Sequence, residues 1–314
     1  MKVYQVNIRP LTGFGIPIKG DTLFGHLCWQ LYYDSNLVGK SLESLLTDYS
    51  VNPFCIISSA FPFVNGKVYL KKPSLPMHIL YKKYSDEELI SKRKDLKKEM
   101  YFKLELPLSP LHELEFVDKP EGKEVEKRDE QVRCTIHRLL GTTSGGGFSP
   151  YVIPKHWYIT DLAIFVGIRD DIKVKGIIEG LSRIGKFGYG KDATSGWGKF
   201  EIVSYQEIDF YERLNSNCNA YYTLSPSLPE KNINYRKIYY EPTIRFGRHG
   251  DILSVSKNPF KAPVLMADEG AVYIPEKFEK RFYLGRAVYG VSSILEKAVV
   301  QAYSLVIPLE VHYA

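Results

Sequence analysis

A β-prone run followed by an amphipathic helix occurs twice in this chain, far apart in sequence, and that recurrence restricts the fold more than any other feature. Val3 to Ile8 alternates apolar and polar residues like a strand. After the turn-rich stretch Pro10 to Gly20, a helix sets Leu23, Phe24, Leu27, Cys28 and Leu31 on one face, with Asp21 as its N-cap. The second occurrence is fuller. Tyr158 to Ile168 is strongly β-prone, Asp171 to Ile184 turns Ile172, Ile177, Ile178, Leu181 and Ile184 to one side, and Lys199 to Tyr205 is β-like again. Strands and helices alternate too irregularly for a doubly wound parallel sheet, and no solenoid repeat is present. The expectation is an α+β protein in two halves, residues 1–150 and 151–314, and 44% hydrophobic residues are enough to fill both cores.

Several pieces decorate that plan. FCIISSAF and KVYL are short strands broken by turns at Pro53, Pro62 and Gly66. Ser85-Asp86-Glu87-Glu88 is a capping box, opening a charged, peripheral helix that runs to about Phe102. Val117 to Arg133 has almost no apolar content, which suits a flexible loop near 117–132 or the tip of an inserted hairpin. The last third holds β-prone runs at Ala220 to Leu224, Ile238 to Phe246 and Ala271 to Ile274. A short helix from about Arg286 to Val291 and a closing strand from Tyr303 to Val311 complete it.

Composition narrows the function classes. A formal charge of +6 favours a polyanionic partner. Cys28, Cys55, Cys134 and Cys218 form no C-x-x-C pair, so a zinc knuckle and a disulfide framework are both disfavoured and a reducing cytoplasm fits. The opening strand lacks the apolar run of a signal peptide, and the most apolar stretch, Leu162 to Ile168, is far shorter than the roughly 20 residues that span a bilayer. No H-E-x-x-H, G-x-S-x-G or Walker A pattern is present, so no metal, cofactor or nucleophile is expected.

Three glycine-rich basic segments remain. GKFGYGKDATSGWGKF, Gly185 to Phe200, carries five glycines and three lysines between a helix and a strand. Glycines let main-chain N–H groups converge on phosphate oxygens, Lys186, Lys191 and Lys199 add charge, and Thr194 and Ser195 add short hydrogen bonds. Tyr189 and Trp197 are candidates for stacking on bases, and a core position for Trp197 is the alternative. In RCTIHRLLGTTSGGGF, Arg133, His137 and Arg138 precede a glycine-rich tail from Gly141 to Gly147 that includes Thr142 and Thr143. In RFGRHGDILSVSKNPFK, Arg245, Arg248, His249, Lys257 and Lys261 interleave with Phe246 and Phe260. Each segment also reads as an ordinary turn or solvated face when taken alone.

Taken in order, these motifs resemble the RAMP superfamily of CRISPR-associated proteins, whose members carry a glycine-rich loop like GYGKDATSGWGKF. The family of the fourth subunit of the type III-A Csm complex is the most similar branch, through KGDTLFGHLCW, TIHRLLGTTSGGGF, and GRHG followed by NPFKAPVLMADEGAVY. The resemblance implies two ferredoxin-like (RRM-like) βαββαβ domains with inserted loops or hairpins. It implies a non-catalytic role in RNA-guided antiviral defence, binding the repeat-derived 5′ tag of the crRNA. It also implies two protein partners, the large polymerase-like signalling subunit and the backbone RAMP subunit. Gly188, Gly190, Gly196 and Gly198, with their neighbours, and Arg138 to Gly147 are the RNA contacts it implies most directly, and Arg245 to Lys261 follows. The equivalent subunit of a type III-B Cmr complex shares these features. The competing reading is a metal-independent RAMP endoribonuclease using His26 or His137 as general acid or base.

Overall fold

The computed structural model describes residues 1–143, 149–212 and 217–312. Strand β1 (Lys2–Pro10) leads through a turn into helix α1 (Gly20–Tyr33), whose buried face is Leu23, Phe24, Leu27 and Leu31. Asp21 is not its cap. Lys19 holds that position, and Asp21 lies within the first turn, buried.

After helix α2 (Leu42–Thr47) come strands β2 (Cys55–Ile57), β3 (Phe61–Val64) and β4 (Lys67–Lys71), then helices α3 (Met77–Leu80) and α4 (Asp86–Lys98). The capping box on Ser85 and Glu88 is formed. Helix α4 stops short of Phe102, because residues Tyr101–Lys103 are recruited as strand β5 along β4. A two-residue strand β6 (Phe116–Val117) extends that edge. The polar stretch that follows becomes an exposed ribbon, with β7 (Glu126–Arg133) antiparallel to β8 (Tyr151–Tyr158) in register from Glu126↔Tyr158 to Arg133↔Tyr151.

Strand β9 (Asp161–Ile168), helix α5 (Val174–Phe187) and strand β10 (Phe200–Ile208) return to β1. The first sheet runs β10-β1-β9-β3-β4-β5-β6, with β2 also on β9. The division expected at residue 150 is therefore displaced: β9, α5 and β10 belong with β1, and the sheets separate between Ile208 and Ala220.

The second sheet is β12-β15-β11-β17-β16, built from β11 (Ala220–Thr223), β12 (Tyr235–Tyr239), β15 (Val272–Pro275), β16 (Tyr283–Val288) and β17 (Val300–Leu309). Strands β13 (Pro242–Arg245) and β14 (Val264–Ala267) make a separate ribbon, so the run Ile238 to Phe246 is split between two sheets. The helix expected from Arg286 to Val291 is instead strand β16, paired with β17 through Arg286↔Ala302. Both sheets share one logic of order: β10-β1-β9-β2 in the first matches β17-β11-β15-β12 in the second, all antiparallel. The crossings of the first carry α1 and α5; among the described residues, those of the second carry no α-helix. The fold is thus mixed α/β with few helices.

One hydrophobic core includes Ile57, Val166 and Leu181 with Leu305 and Ile307 of the second sheet. Gln301, wholly buried, closes the junction. Its amide accepts from Ile57 N at 3.0 Å and donates to Ile57 O at 2.8 Å, standing in for a neighbouring strand at the free edge of β2.

Candidate nucleic-acid interface

The glycine-rich loop between α5 and β10 closes on itself. Tyr189 N donates to Gly198 O at 2.9 Å, and a Cβ on Gly198, whose φ is +74°, would lie 2.2 Å from Tyr189 O. Gly188 is equally constrained, since its Cβ would meet Trp197 O at 2.4 Å. The glycines allow the loop's own strands to touch; they are not spare donors for phosphate. The N–H groups of Gly188, Tyr189, Gly190, Ser195, Gly196, Trp197, Gly198 and Lys199 are all donated within the protein. Lys191 to Thr194 donate no main-chain hydrogen bond among the described residues, and this is the stretch open to a ligand.

Both aromatic side chains of the loop are engaged. Tyr189 is fully buried, its hydroxyl donating to Pro17 O at 3.0 Å and accepting from Lys19 N at 2.9 Å, so it cannot stack on a base. Trp197 is 7% exposed. The Arg133 guanidinium lies 4.9 Å from its ring centroid and the Lys155 ammonium 4.4 Å away. Arg133 also pairs with Asp192 at 3.1 Å, and Lys155 sits 4.3 Å from the ring of Trp157. The exposed ribbon is thereby pinned to the loop and presents two cations beside it. A bridge between Phe14 and His156, two backbone hydrogen bonds of 2.8 Å, fixes the other side.

Helix α1 joins this loop to the third basic segment. His26 accepts from Gly190 N at 3.0 Å through Nε2 and packs on Tyr189 with centroids 5.4 Å apart. Burial pushes its pKa down to about 4, so at neutral pH it is an uncharged acceptor already in use by Gly190 N. About 7.5 Å back along the helix axis, Asp21 holds Arg245 through Nε and through a second bond of 2.8 Å. Burial works against the Arg245 charge and Asp21 more than restores it, so its pKa is raised. Lys19 is committed to Asp268 at 2.8 Å and to Glu269.

Of the sequence-expected contacts, Lys186 stands exposed in the last turn of α5 and Lys191, Thr194 and Ser195 on the loop, with Gly196 and Lys199 partly covered. Arg138, Gly141 and Thr142 are exposed where a turn closes His137 onto Thr142, and Thr143 is partly covered; Gly145 to Gly147 lie outside the described residues. Phe246, Arg248 and Lys257 are exposed. Arg248 bonds Ser254 O at 2.9 Å, and buried His249 meets Ser292 at 2.8 Å. Lys261 is partly covered, its pKa lowered by burial. Lys155 and Trp157 were missed, although KHWY interleaves basic and aromatic residues as the other segments do. Among the described residues no cluster of His, Cys, Asp or Glu could hold a metal ion, and no helix is long and apolar enough to cross a membrane.

The arrangement has counterparts among solved structures. A chain of the crystallised Csm1-Csm4 cassette in complex with cA4 superposes with a TM-score of 0.59 at 18% identity, covering 100% of this chain and 99% of that one. The cassette in complex with pppApA gives 0.58 at 18% identity and the same coverage. A chain of the Csm3-Csm4 subcomplex of the type III-A CRISPR-Cas interference complex gives 0.56 at 15%, covering 98% and 99%. The subunit common to these assemblies is Csm4. The fold here is Csm4-like. No protein-family model matches the sequence, and no curated protein does. End-to-end coverage on both sides means that the Csm4-like fold includes both sheets and the ribbon, not one half alone.

Proposed function

We propose that this protein is a non-catalytic, Csm4-like subunit of a type III-A CRISPR effector complex, holding the 5′ repeat-derived tag of the crRNA in the cytoplasm. It comprises two ferredoxin-like units, the second stripped of its helices. It anchors the large signalling subunit and the first backbone RAMP subunit, the partners suggested by the Csm1-Csm4 and Csm3-Csm4 assemblies whose chains share its fold. RNA would lie across the exposed Lys191, Thr194 and Ser195 and against Arg133 and Lys155 of the ribbon, with Arg138, Arg248 and Lys257 extending the positive surface. The observation that carries this reading is the pinning of the ribbon to the glycine loop through Trp197, which gathers Arg133, Lys155 and Lys191 from three separate stretches of the chain.

The test is a gel in which the purified protein meets end-labelled CRISPR repeat RNA without divalent metal, across a salt series. Retention that falls steeply with salt while the RNA stays intact is the expected result. Removing one phosphate-binding cation, as in Lys191→Ala, should reduce the log–log salt slope by about 0.7. A discrete cut in the RNA, or retention indifferent to salt, would refute the proposal.

A further inference from the structure

A second polar site lies on the first sheet, away from the glycine loop. The central strand β1 places Gln5 and Asn7 on one face, each only 6% exposed, and amides buried to that degree need hydrogen-bond partners. Register sets Gln206 of β10 directly opposite Gln5 and Ser204 opposite Asn7. Gln5 Nε2 donates to Asn7 Oδ1 at 2.9 Å, and Asn7 Nδ2 donates to Ser204 Oγ at 3.0 Å. This relay fixes the orientation of both amides and, among the described residues, leaves the Gln5 carbonyl oxygen without a hydrogen bond. The Gln206 amide is exposed and makes no hydrogen bond among the described residues.

These amides line a cleft of about 450 Å³ together with Phe63, Lys67, Val68, Leu104, Leu106 and Ile208. A lining that mixes primary amides with apolar side chains suits a flat ring with donors and acceptors on its edge. Paired amide groups are the side chains that read a base edge, a bidentate Gln or Asn on adenine being the familiar case. Lys67 is already paired with Glu121 at 2.9 Å, which makes the cleft a poor site for a bare phosphate.

We propose that this cleft receives one unpaired nucleobase of a bound RNA strand, held by Gln5 and Gln206 between Phe63 and Ile208. It lies five residues of β1 from the end that meets the glycine loop, about 16–17 Å along the strand, a span that one RNA strand can cover. The site rests on the reading of the protein as an RNA binder, but its test does not use the loop.

The 314-residue chain is titrated with each of the four nucleoside monophosphates, and the side-chain amide signals of Gln5, Asn7 and Gln206 are followed by NMR. Saturable shifts of these signals with at least one nucleotide are expected, weakened about tenfold in Gln206→Leu and unchanged in Lys191→Ala. Gln206 is exposed, so its replacement should leave folding intact; thermal unfolding of the variant checks this, and Gln206→Glu provides a second variant. Absence of saturable shifts with all four nucleotides, or binding equal in both Gln206 variants and the parent, would overturn the site. Loss of repeat-RNA retention in Lys191→Ala with mononucleotide binding intact would leave the cleft and the loop as separate sites. Mononucleotide binding by a protein that fails to retain repeat RNA would sink the guide-holding role alone.

Discussion

Replacing His26 by Gln separates the structural role of this residue from a catalytic one. In the folded protein burial holds the imidazole pKa at about 4, against roughly 6.5 in an unfolded chain. The neutral ring is favoured on folding, so this contribution is fully present above pH 6.5 and is lost as pH falls from there toward 4. Carrying that shift through the linkage relation gives a loss of about 2 kcal/mol between pH 7 and pH 5. The ring keeps an edge in solvent, so a measured value of about 1 kcal/mol remains consistent with the geometry. Glutamine retains an oxygen that can accept from Gly190 N but does not titrate. Denaturant unfolding of both proteins at pH 7 and pH 5 should therefore show the variant losing about 1–2 kcal/mol less than the parent on acidification. Equal losses would refute the buried neutral acceptor. Cleavage of repeat RNA by the parent that disappears in the variant would return His26 to a catalytic role.

Trp197→Ala should destabilise the protein by about 3–5 kcal/mol and open the ribbon to trypsin at Arg133 and Lys155; a stable, protease-resistant variant with weakened RNA binding would instead make Trp197 a base-stacking residue. Asp21→Ala strands Arg245 in a largely buried place and should cost about 3–5 kcal/mol, with Arg245→Met in the same protein recovering part of it by thermal unfolding. Gly198→Ala combines a left-handed φ with a backbone clash and should cost about 2–5 kcal/mol, visible as an earlier unfolding midpoint. Gln301→Leu leaves Ile57 N and O without partners at the junction of the sheets and should cost about 2–4 kcal/mol in denaturant titration.

What could be read from the sequence was local. The alternation in Val3 to Ile8 and the 3.6-residue spacing of Ile177, Leu181 and Ile184 are signals carried by neighbouring residues, and β1 and α5 formed where they indicated. The helix expected at Arg286 was overridden by a partner strand, since Gly285 to Val288 pairs residue for residue with Val300 to Tyr303. Residue 150 suggested a boundary because a polar stretch precedes it, yet β1 bonds β9 across about 160 residues of sequence, and nothing local announces such a pairing. The glycine loop was visible and its role partly inverted. Composition reveals that a loop has glycines and lysines but not where its N–H groups are spent, so the burial of Tyr189 and the shielding of Trp197 needed coordinates.

That inversion bears on how recognition can work. A loop whose main-chain donors are nearly all satisfied internally loses little conformational freedom when a ligand arrives, so the cost of ordering it has already been met in folding. The same satisfaction limits what it can read: charges and a few short hydroxyls neutralise and position a backbone, but they do not distinguish bases. Discrimination among sequences then has to come from groups that face base edges. On the described surface the amides of Gln5, oriented by Asn7, and of Gln206 opposite it are of that kind, whereas Lys191 and Arg248 are not. Loop variants should thus shift affinity for every RNA alike, and Gln206 variants should change the ranking among RNAs while leaving the salt slope where it was.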